Sequence, residues 1–197
     1  EKIIYELNDI VCFELEQYEK KKKEIRCSRS FGKNITQYHD LKEAITTFAS
    51  RAAFKSRMQE TASGMITIFV TTNPFNKKDT NYSASISLAI EPPTCQTTLI
   101  IKVALRGLSK IYKENITYSK CGVILGNLMD VEKSQNILSF LNKRQNNVLT
   151  FVMDEINSKF EKDSIRIGTQ PRNPSWKMKQ LHKSQSYTTS WDDLLCV

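Results

Sequence analysis

The stretch Cys27-Ser28-Arg29-Ser30-Phe31-Gly32 begins a series of segments in which apolar residues alternate with Ser, Thr or Arg. A period of two is typical of a β-strand that buries one side and exposes the other. The pattern predicts strands over residues 25–31, 65–72, 82–90 and 117–126.

Two amphipathic helices are predicted between these strands. Asp40-Leu41-Lys42-Glu43 has the form of a capping box, and apolar residues recur on one helix face from Leu41 to Ala52. Pro92-Pro93-Thr94 is expected to open the second helix, which runs to about Tyr112 with Leu99 on its apolar side. The order β-α-β-β-α-β predicts an α+β fold with two helices on one face of a four-stranded antiparallel sheet.

The uncovered face of this sheet is expected to carry small hydroxyl side chains with cations at its edges. The residues assigned to it are Arg26, Ser28, Ser30, Thr67, Phe69, Thr71, Ser83, Ser85, Ser87 and Lys120. Hydroxyl groups can donate to phosphate oxygens, while Arg26, Arg29 and Lys120 supply charge. Two interpretations stay open, a surface that contacts a nucleic-acid backbone and an ordinary solvated face.

Composition limits the functional classes. The chain has 197 residues, 40% of them hydrophobic, and a formal net charge of +8, which favours an anionic partner. Five scattered cysteines without a C-x-x-C pair predict reduced, mostly buried thiols. Apolar runs fall short of the ~20 residues that cross a bilayer, and the start at Glu1 does not resemble a signal peptide. The expectation is a cytosolic piece of a longer protein.

No catalytic residue, metal site or cofactor is predicted. His39 and His182 lie far apart in the sequence without ligand-spaced partners, so surface or capping roles are favoured. The adjacent acidic pairs, Asp154-Glu155 and Asp192-Asp193, would point their side chains apart. A Gly-rich phosphate loop is also missing from the sequence.

The regular pattern ends after Gly126. Residues 128–145 are predicted to be a polar connector, followed by a helix over 146–160, a short strand over 164–168 and an irregular tail. Within the connector, Gln135, Leu138 and Phe140 combine an amide with two apolar anchors. Such a motif either binds a pocket on a partner or begins the following helix and covers the core. At the other end, residues 1–18 have a helical rhythm and residues 19–24 form a charged linker.

Together these segments resemble the UmuC branch of the Y-family DNA polymerases, which includes the catalytic subunit of DNA polymerase V. The first and last matching motifs are specific to that branch. The matching motifs are Cys27–Gly32, Ala49-Ser50-Arg51-Ala52-Ala53, Thr72-Asn73-Pro74-Phe75, Ala104-Leu105-Arg106-Gly107-Leu108, Lys120-Cys121-Gly122-Val123, Met153-Asp154-Glu155-Ile156-Asn157, Trp176-Lys177-Met178 and Ser186–Trp191.

The resemblance implies a division of the chain. Residues 1–24 would be the end of the thumb and a linker, 25–127 the DNA-contacting little finger, 128–145 a connector, and 146–197 a UmuC-type C-terminal region. Gln135, Leu138 and Phe140 would bind a sliding clamp. The catalytic palm, with the Mg²⁺ that the full-length polymerase uses, is expected to lie outside this chain.

The implied partners are damaged template-primer DNA, the sliding clamp, a cleaved UmuD dimer and RecA, in the bacterial cytoplasm near the nucleoid and without a membrane. The implied role is translesion synthesis in the SOS response. A stand-alone RNA-recognition module and a protein-interaction domain are the alternatives. The former would stack bases on aromatic residues, of which the open face offers Phe69.

Overall fold

The computed structural model describes residues 1–12, 22–76, 81–131, 140–160, 164–178, 184–187 and 190–194. Its elements, in chain order, are α1 (Lys2–Leu7), β1 (Ile25–Ile35), α2 (Tyr38–Met58), β2 (Thr61–Thr72), β3 (Ser83–Thr94), α3 (Thr97–Ile111), β4 (Tyr118–Asp130), α4 (Phe140–Lys159) and a 3-10 turn at Trp191–Asp193.

The four strands form one antiparallel sheet in the order β1-β4-β2-β3. The two central strands are β4 and β2. Strand β4 therefore lies between the two strands of the β1-α2-β2 unit, and β2 lies between the two strands of the β3-α3-β4 unit. Helices α2 and α3 pack against each other and against one face of the sheet. The predicted α+β architecture is confirmed.

The core lies between the two helices and the covered face of the sheet. Ile66, Ile68 and Val70 of β2 point into it, as their alternation predicted, and are fully buried. Leu41 and Ile45 of α2 meet them from the helix layer. Burying a side chain of this size contributes about 1.5–3 kcal/mol, so these positions hold the two layers together.

The connection from β3 to α3 differs from the prediction. Strand β3 continues through Pro92 and Pro93 to Thr94, and α3 begins only at Thr97. Proline is tolerated because β3 is an edge strand, where a missing N–H removes no interior hydrogen bond. Leu99 is 44% exposed, so its placement on the apolar side was wrong, since the buried face of α3 begins with Ile100.

The predicted capping box does not cap α2. The helix begins at Tyr38, with Gln37 at the N-cap and no side-chain capping hydrogen bond. Asp40 lies inside the first turn instead, where a carboxylate interacts favourably with the exposed N–H groups of the helix end.

The elements outside the sheet also differ from the prediction. Helix α1 covers only Lys2–Leu7 of the predicted stretch 1–18, of which residues 13–18 lie outside the described residues. Helix α4 begins at Phe140 instead of residue 146. The strand predicted at 164–168 is a turn, in which the Gln170 amide donates to the Ile167 carbonyl at 2.7 Å.

The C-terminal region packs against the helix side of the sheet. Trp176 is 5% exposed, and its ring lies 5.9 Å, centre to centre, from those of both Phe31 and Phe48. The Gly32 amide donates to the Trp176 carbonyl at 2.9 Å. A Cβ at Gly32 would stand 2.7 Å from the Met178 Cα, so this close approach requires glycine.

A bidentate ion pair joins helix α4 to α2. Arg57 donates from Nε to Asp154 Oδ2 at 2.6 Å and from Nη2 to Oδ1 at 2.8 Å. The Nη1 group of Arg57 also bonds the Cys95 carbonyl and Thr97 Oγ1, so one guanidinium connects α2, α3 and α4. No helix in the described ranges combines the length and apolar character that crossing a membrane requires.

Candidate nucleic-acid interface

The register of the sheet arranges the open face in three rows that run from β1 across β4 and β2 to β3. The rows are Ser30, Lys120, Thr71 and Ser83; then Ser28, Gly122, Phe69 and Ser85; then Arg26, Ile124, Thr67 and Ser87. All ten residues assigned to the uncovered face lie in these rows, whereas Arg29, which was also predicted to contact DNA, does not. None of these twelve residues carries a carboxylate.

Hydroxyl groups dominate the β3 side of this face. Ser83, Ser85 and Ser87 are exposed, and Ser87 Oγ lies 2.7 Å from Thr67 Oγ1 on β2. A hydroxyl group can rotate its hydrogen toward an acceptor and still accept from a neighbour. These side chains can therefore donate to an anion while occupying little space above the sheet.

Phe69 lies at the centre of the open face but is nearly covered. The residue is 9% exposed, and the Arg26 guanidinium carbon lies 4.8 Å from the ring centroid in a cation–π contact. The ring also lies against Gly122, where an added Cβ would stand 2.6 Å from the Phe69 Cζ. Phe69 therefore builds a smooth surface, and a base could stack on it only after Arg26 had moved.

A concave end adjoins the first row. Ser30, Thr71, Lys120 and Ser119 line a cavity of about 360 Å³ together with Asn34 and Asn73. Its lining offers hydroxyl, amide and ammonium donors, which are the groups that coordinate phosphate oxygens.

Arg29 is separated from the other predicted residues. It has the same strand parity as Ile25 and Cys27, which are buried against the helix layer. Its side chain lines a different cavity, with Phe48 and Trp176. The sequence already indicated this separation. Arg26 and Arg29 are an odd number of residues apart on one strand, so their side chains point to opposite faces of the sheet.

The predicted clamp motif has no described side chains. Gln135 and Leu138 lie outside the described residues, and Phe140 is described only as the first backbone position of α4. Its assignment stays a prediction.

One cluster of candidate metal ligands was missed. His39, Asp40 and Glu43 have ligand atoms within 4.8 Å of one another, and His39 Nδ1 lies 3.7 Å from Glu43 Oε1. The spacing of i and i+4 on a helix could have revealed this neighbour, contrary to the expectation that His39 has none. His39 is exposed, and acidic groups in a first turn also serve the helix itself.

The buried thiols fit the predicted structural role. Burial raises the pKa of Cys121 and also that of Cys27, where Lys55 and Arg51 offset part of the effect. Both therefore stay protonated near neutral pH and are poor nucleophiles.

The sequence is similar to known protein families and to curated proteins. Residues 22–139 match the impB/mucB/samB family C-terminal domain, and residues 148–197 match a domain of unknown function (DUF4113). Protein UmuC of Salmonella typhimurium is 34% identical over 199 aligned residues, covering 100% of this chain and 47% of that protein. Protein MucB of Escherichia coli is 31% identical over 192 residues, covering 97% and 45%. The chain spans about half the length of the curated relatives it matches.

Two solved structures of low sequence identity were also matched. The insertion ternary complex of Dbh DNA polymerase gives a TM-score of 0.40 at 14% identity, covering 57% of this chain and 31% of that one. A Y-family DNA polymerase chimera that contains Dbh gives 0.43 at 12% identity, covering 65% and 34%.

Proposed function

The chain belongs to the impB/mucB/samB family, and on that premise we propose that it is the noncatalytic C-terminal part of a UmuC-like, error-prone translesion DNA polymerase. Residues 25–127 would act as the little finger and 146–197 as the UmuC-type C-terminal region. The open sheet face would lie against the backbone of damaged template-primer DNA. The polymerase reaction, with its Mg²⁺, is proposed for the whole protein.

The observation that carries this proposal is the set of three rows on the open face. They combine exposed serines, threonines and two cations, Arg26 and Lys120, without a carboxylate. Phosphate contacts position a protein on DNA without reading its sequence, and hydroxyl groups with dispersed cations supply such contacts. A polymerase that must advance along any template needs this kind of contact, because base-specific bonds would stall it at preferred sites.

Clamp tethering is the second part of the proposal. Gln135, Leu138 and Phe140 would bind a pocket on the sliding clamp, the amide by hydrogen bonds and the two apolar side chains by burial. A short tether can raise the local concentration of a weakly bound module to roughly the millimolar range. The DNA contact could then be weak and still productive.

The cellular setting follows from the same premise. We place the whole protein in SOS mutagenesis at the bacterial nucleoid, with a cleaved UmuD dimer and RecA as partners. No residue of this chain is assigned to either partner.

Binding of primed duplex DNA across a salt series tests the proposed interface. Replacing Lys120 by Ala or Arg26 by Gln should weaken binding equally for unrelated sequences. Each change should reduce the slope of log K against log salt by about one, because each lost phosphate contact releases one counterion fewer. Lys102→Ala removes an exposed charge from α3 and serves as the matched control.

Three outcomes would count against the interface. The first is an altered sequence preference with an unchanged salt slope, and the second is an equal loss in Lys102→Ala. The third is a preference for single-stranded RNA over primed DNA, which would favour the RNA-binding alternative.

A further inference from the structure

A second concave surface lies on the helix side of β1, where the C-terminal region meets α2. The cavity has a volume of about 220 Å³, and Phe48, Trp176, Pro171 and Pro174 form its apolar wall. The charged side chains that line it are Arg29, Arg51, Arg166, Arg172 and Lys177. None of the described residues that line it carries a carboxylate. It is separate from the open sheet face, because Arg29 and Arg26 leave β1 in opposite directions.

Such a concentration of like charge costs free energy unless something compensates it. Within the part of the chain that the structure describes, no carboxylate forms an ion pair with Arg29, Arg172 or Lys177. An anion in the cavity would compensate the charges of these three residues, while Arg51 and Arg166 have other partners.

The wall that carries Arg166 and Arg172 is held in shape by its own hydrogen bonds. Arg166 Nη1 donates to the Pro171 and Arg172 carbonyls at 3.2 and 3.1 Å, which closes the loop on itself. Asn157 of α4 holds the start of the loop by bonding both the amide and the carbonyl of Ile165. A ligand would therefore meet a preformed wall, which lowers the entropy lost on binding.

Trp176 gives the cavity a fixed aromatic wall. Its side chain is almost completely buried, and its ring packs edge-on against that of Phe48, which lines the same cavity. The ring therefore lies close enough to a bound ligand to respond to it.

We propose that this cavity is a phosphate-binding site built jointly by the sheet domain and the C-terminal region. The donors that face it are guanidinium and ammonium groups, and guanidinium forks match the paired oxygens of phosphate. Phosphate fits better than a single carboxylate because it presents more charge and more acceptor oxygens to converging cations. The phosphate would come from a nucleic-acid strand or from a free polyphosphate.

The fluorescence of Trp176 can report occupancy directly. Trp191 is 89% exposed, so Trp191→Phe leaves Trp176 as the single tryptophan without disturbing the core. In that background, inorganic pyrophosphate at constant ionic strength should give a saturable change in emission. Arg29→Gln combined with Arg172→Gln should weaken the affinity about tenfold or more, because two charge-assisted contacts are lost. Arg26→Gln, three residues from Arg29 on the opposite side of β1, should leave it unchanged.

The source of the phosphate is resolved by competition. A single-stranded oligothymidylate that displaces pyrophosphate, with the same dependence on Arg29 and Arg172, would identify a nucleic-acid strand. Pyrophosphate binding without competition would identify a free polyphosphate. The site is rejected if neither probe changes the emission, if the double variant binds as well as its parent, or if poly-glutamate binds more tightly than pyrophosphate. Unchanged thermal melting of the double variant verifies folding, which is expected since both arginines are exposed.

Discussion

Gly122 shows how a single position shapes the open sheet face. It lies in the middle row between Ser28 on β1 and Phe69 on β2, where the Phe69 ring crosses above it. Because position 122 has no side chain, the Phe69 ring can lie over it, and the Arg26 guanidinium contacts the same ring. The smoothness of the proposed DNA-contacting surface therefore depends on this residue.

Gly122→Ala should destabilise the domain and displace Phe69. The added Cβ would stand 2.3 Å from the Ser28 Cβ and 2.7 Å from the Phe69 Cε1, both well inside van der Waals contact. Overpacking of this kind costs about 1–3 kcal/mol, measurable by urea unfolding. Gly168→Ala is the control, because a Cβ there meets nothing within 4 Å, and it should change stability by less than about 0.5 kcal/mol. Equal stability of the two variants would refute this explanation.

At the scale of elements, the alternation of apolar and polar residues along the strands predicted which residues lie on the open face of the sheet. Residues 83–89 alternate strictly, so the serines of β3 were assigned to the open face correctly. The same rule on β1 places Arg29 on the side of the strand opposite to Arg26, so the charge of Arg29 should not have been assigned to the open face. Strand order and exact register could not be obtained this way, because alternation fixes the face of a residue but not its neighbours.

The predicted boundaries of elements were wrong where a local sequence signal competes with tertiary structure. Pro92-Pro93-Thr94 resembles a helix start, yet an edge strand accommodates both prolines. The packing of α4 and Trp176 was beyond sequence reasoning, because these contacts join residues about a hundred or more positions apart in the chain. No local pattern records such a pairing.

The link between α2 and α4 should carry measurable coupling energy. The side chains of Arg57 and Asp154 are 18% and 23% exposed and meet through two short hydrogen bonds. A double-mutant cycle with alanine at both positions should give about 1–2 kcal/mol, above the ~0.2–1 kcal/mol of exposed pairs. The exposed His39–Glu43 pair on α2 is the internal comparison. A coupling no larger than that of His39–Glu43 would show that α4 is not held by this pair.

At the scale of the whole molecule, the sheet domain offers two surfaces of different character. The open face is flat, hydroxyl-rich and lightly charged, whereas the cavity beside Trp176 is concave and strongly basic. The C-terminal region completes only the second. Its packing against β1 therefore has a consequence for binding as well as for stability.

The clamp motif gives a prediction at this scale. Replacing Leu138 and Phe140 together by Ala should abolish capture of the chain by the sliding clamp while leaving melting and DNA affinity nearly unchanged. If these side chains instead cover the core, the double variant should lose about 2–5 kcal/mol for each buried change and melt much lower. A pull-down on the clamp beside a melting scan separates the two. Sharply reduced melting, with no clamp capture by the parent chain, would end the tethering proposal.

Photo-crosslinking from the open face tests the central claim most directly. Ser85, in the middle row, would be replaced by p-benzoylphenylalanine, and Leu99, exposed on α3 behind the sheet, would be replaced in a matched variant. Irradiation with primed duplex DNA should crosslink the variant at 85 and leave the variant at 99 uncrosslinked. Crosslinks from 99 alone, or equally from both positions, would contradict a DNA interface on the open sheet face.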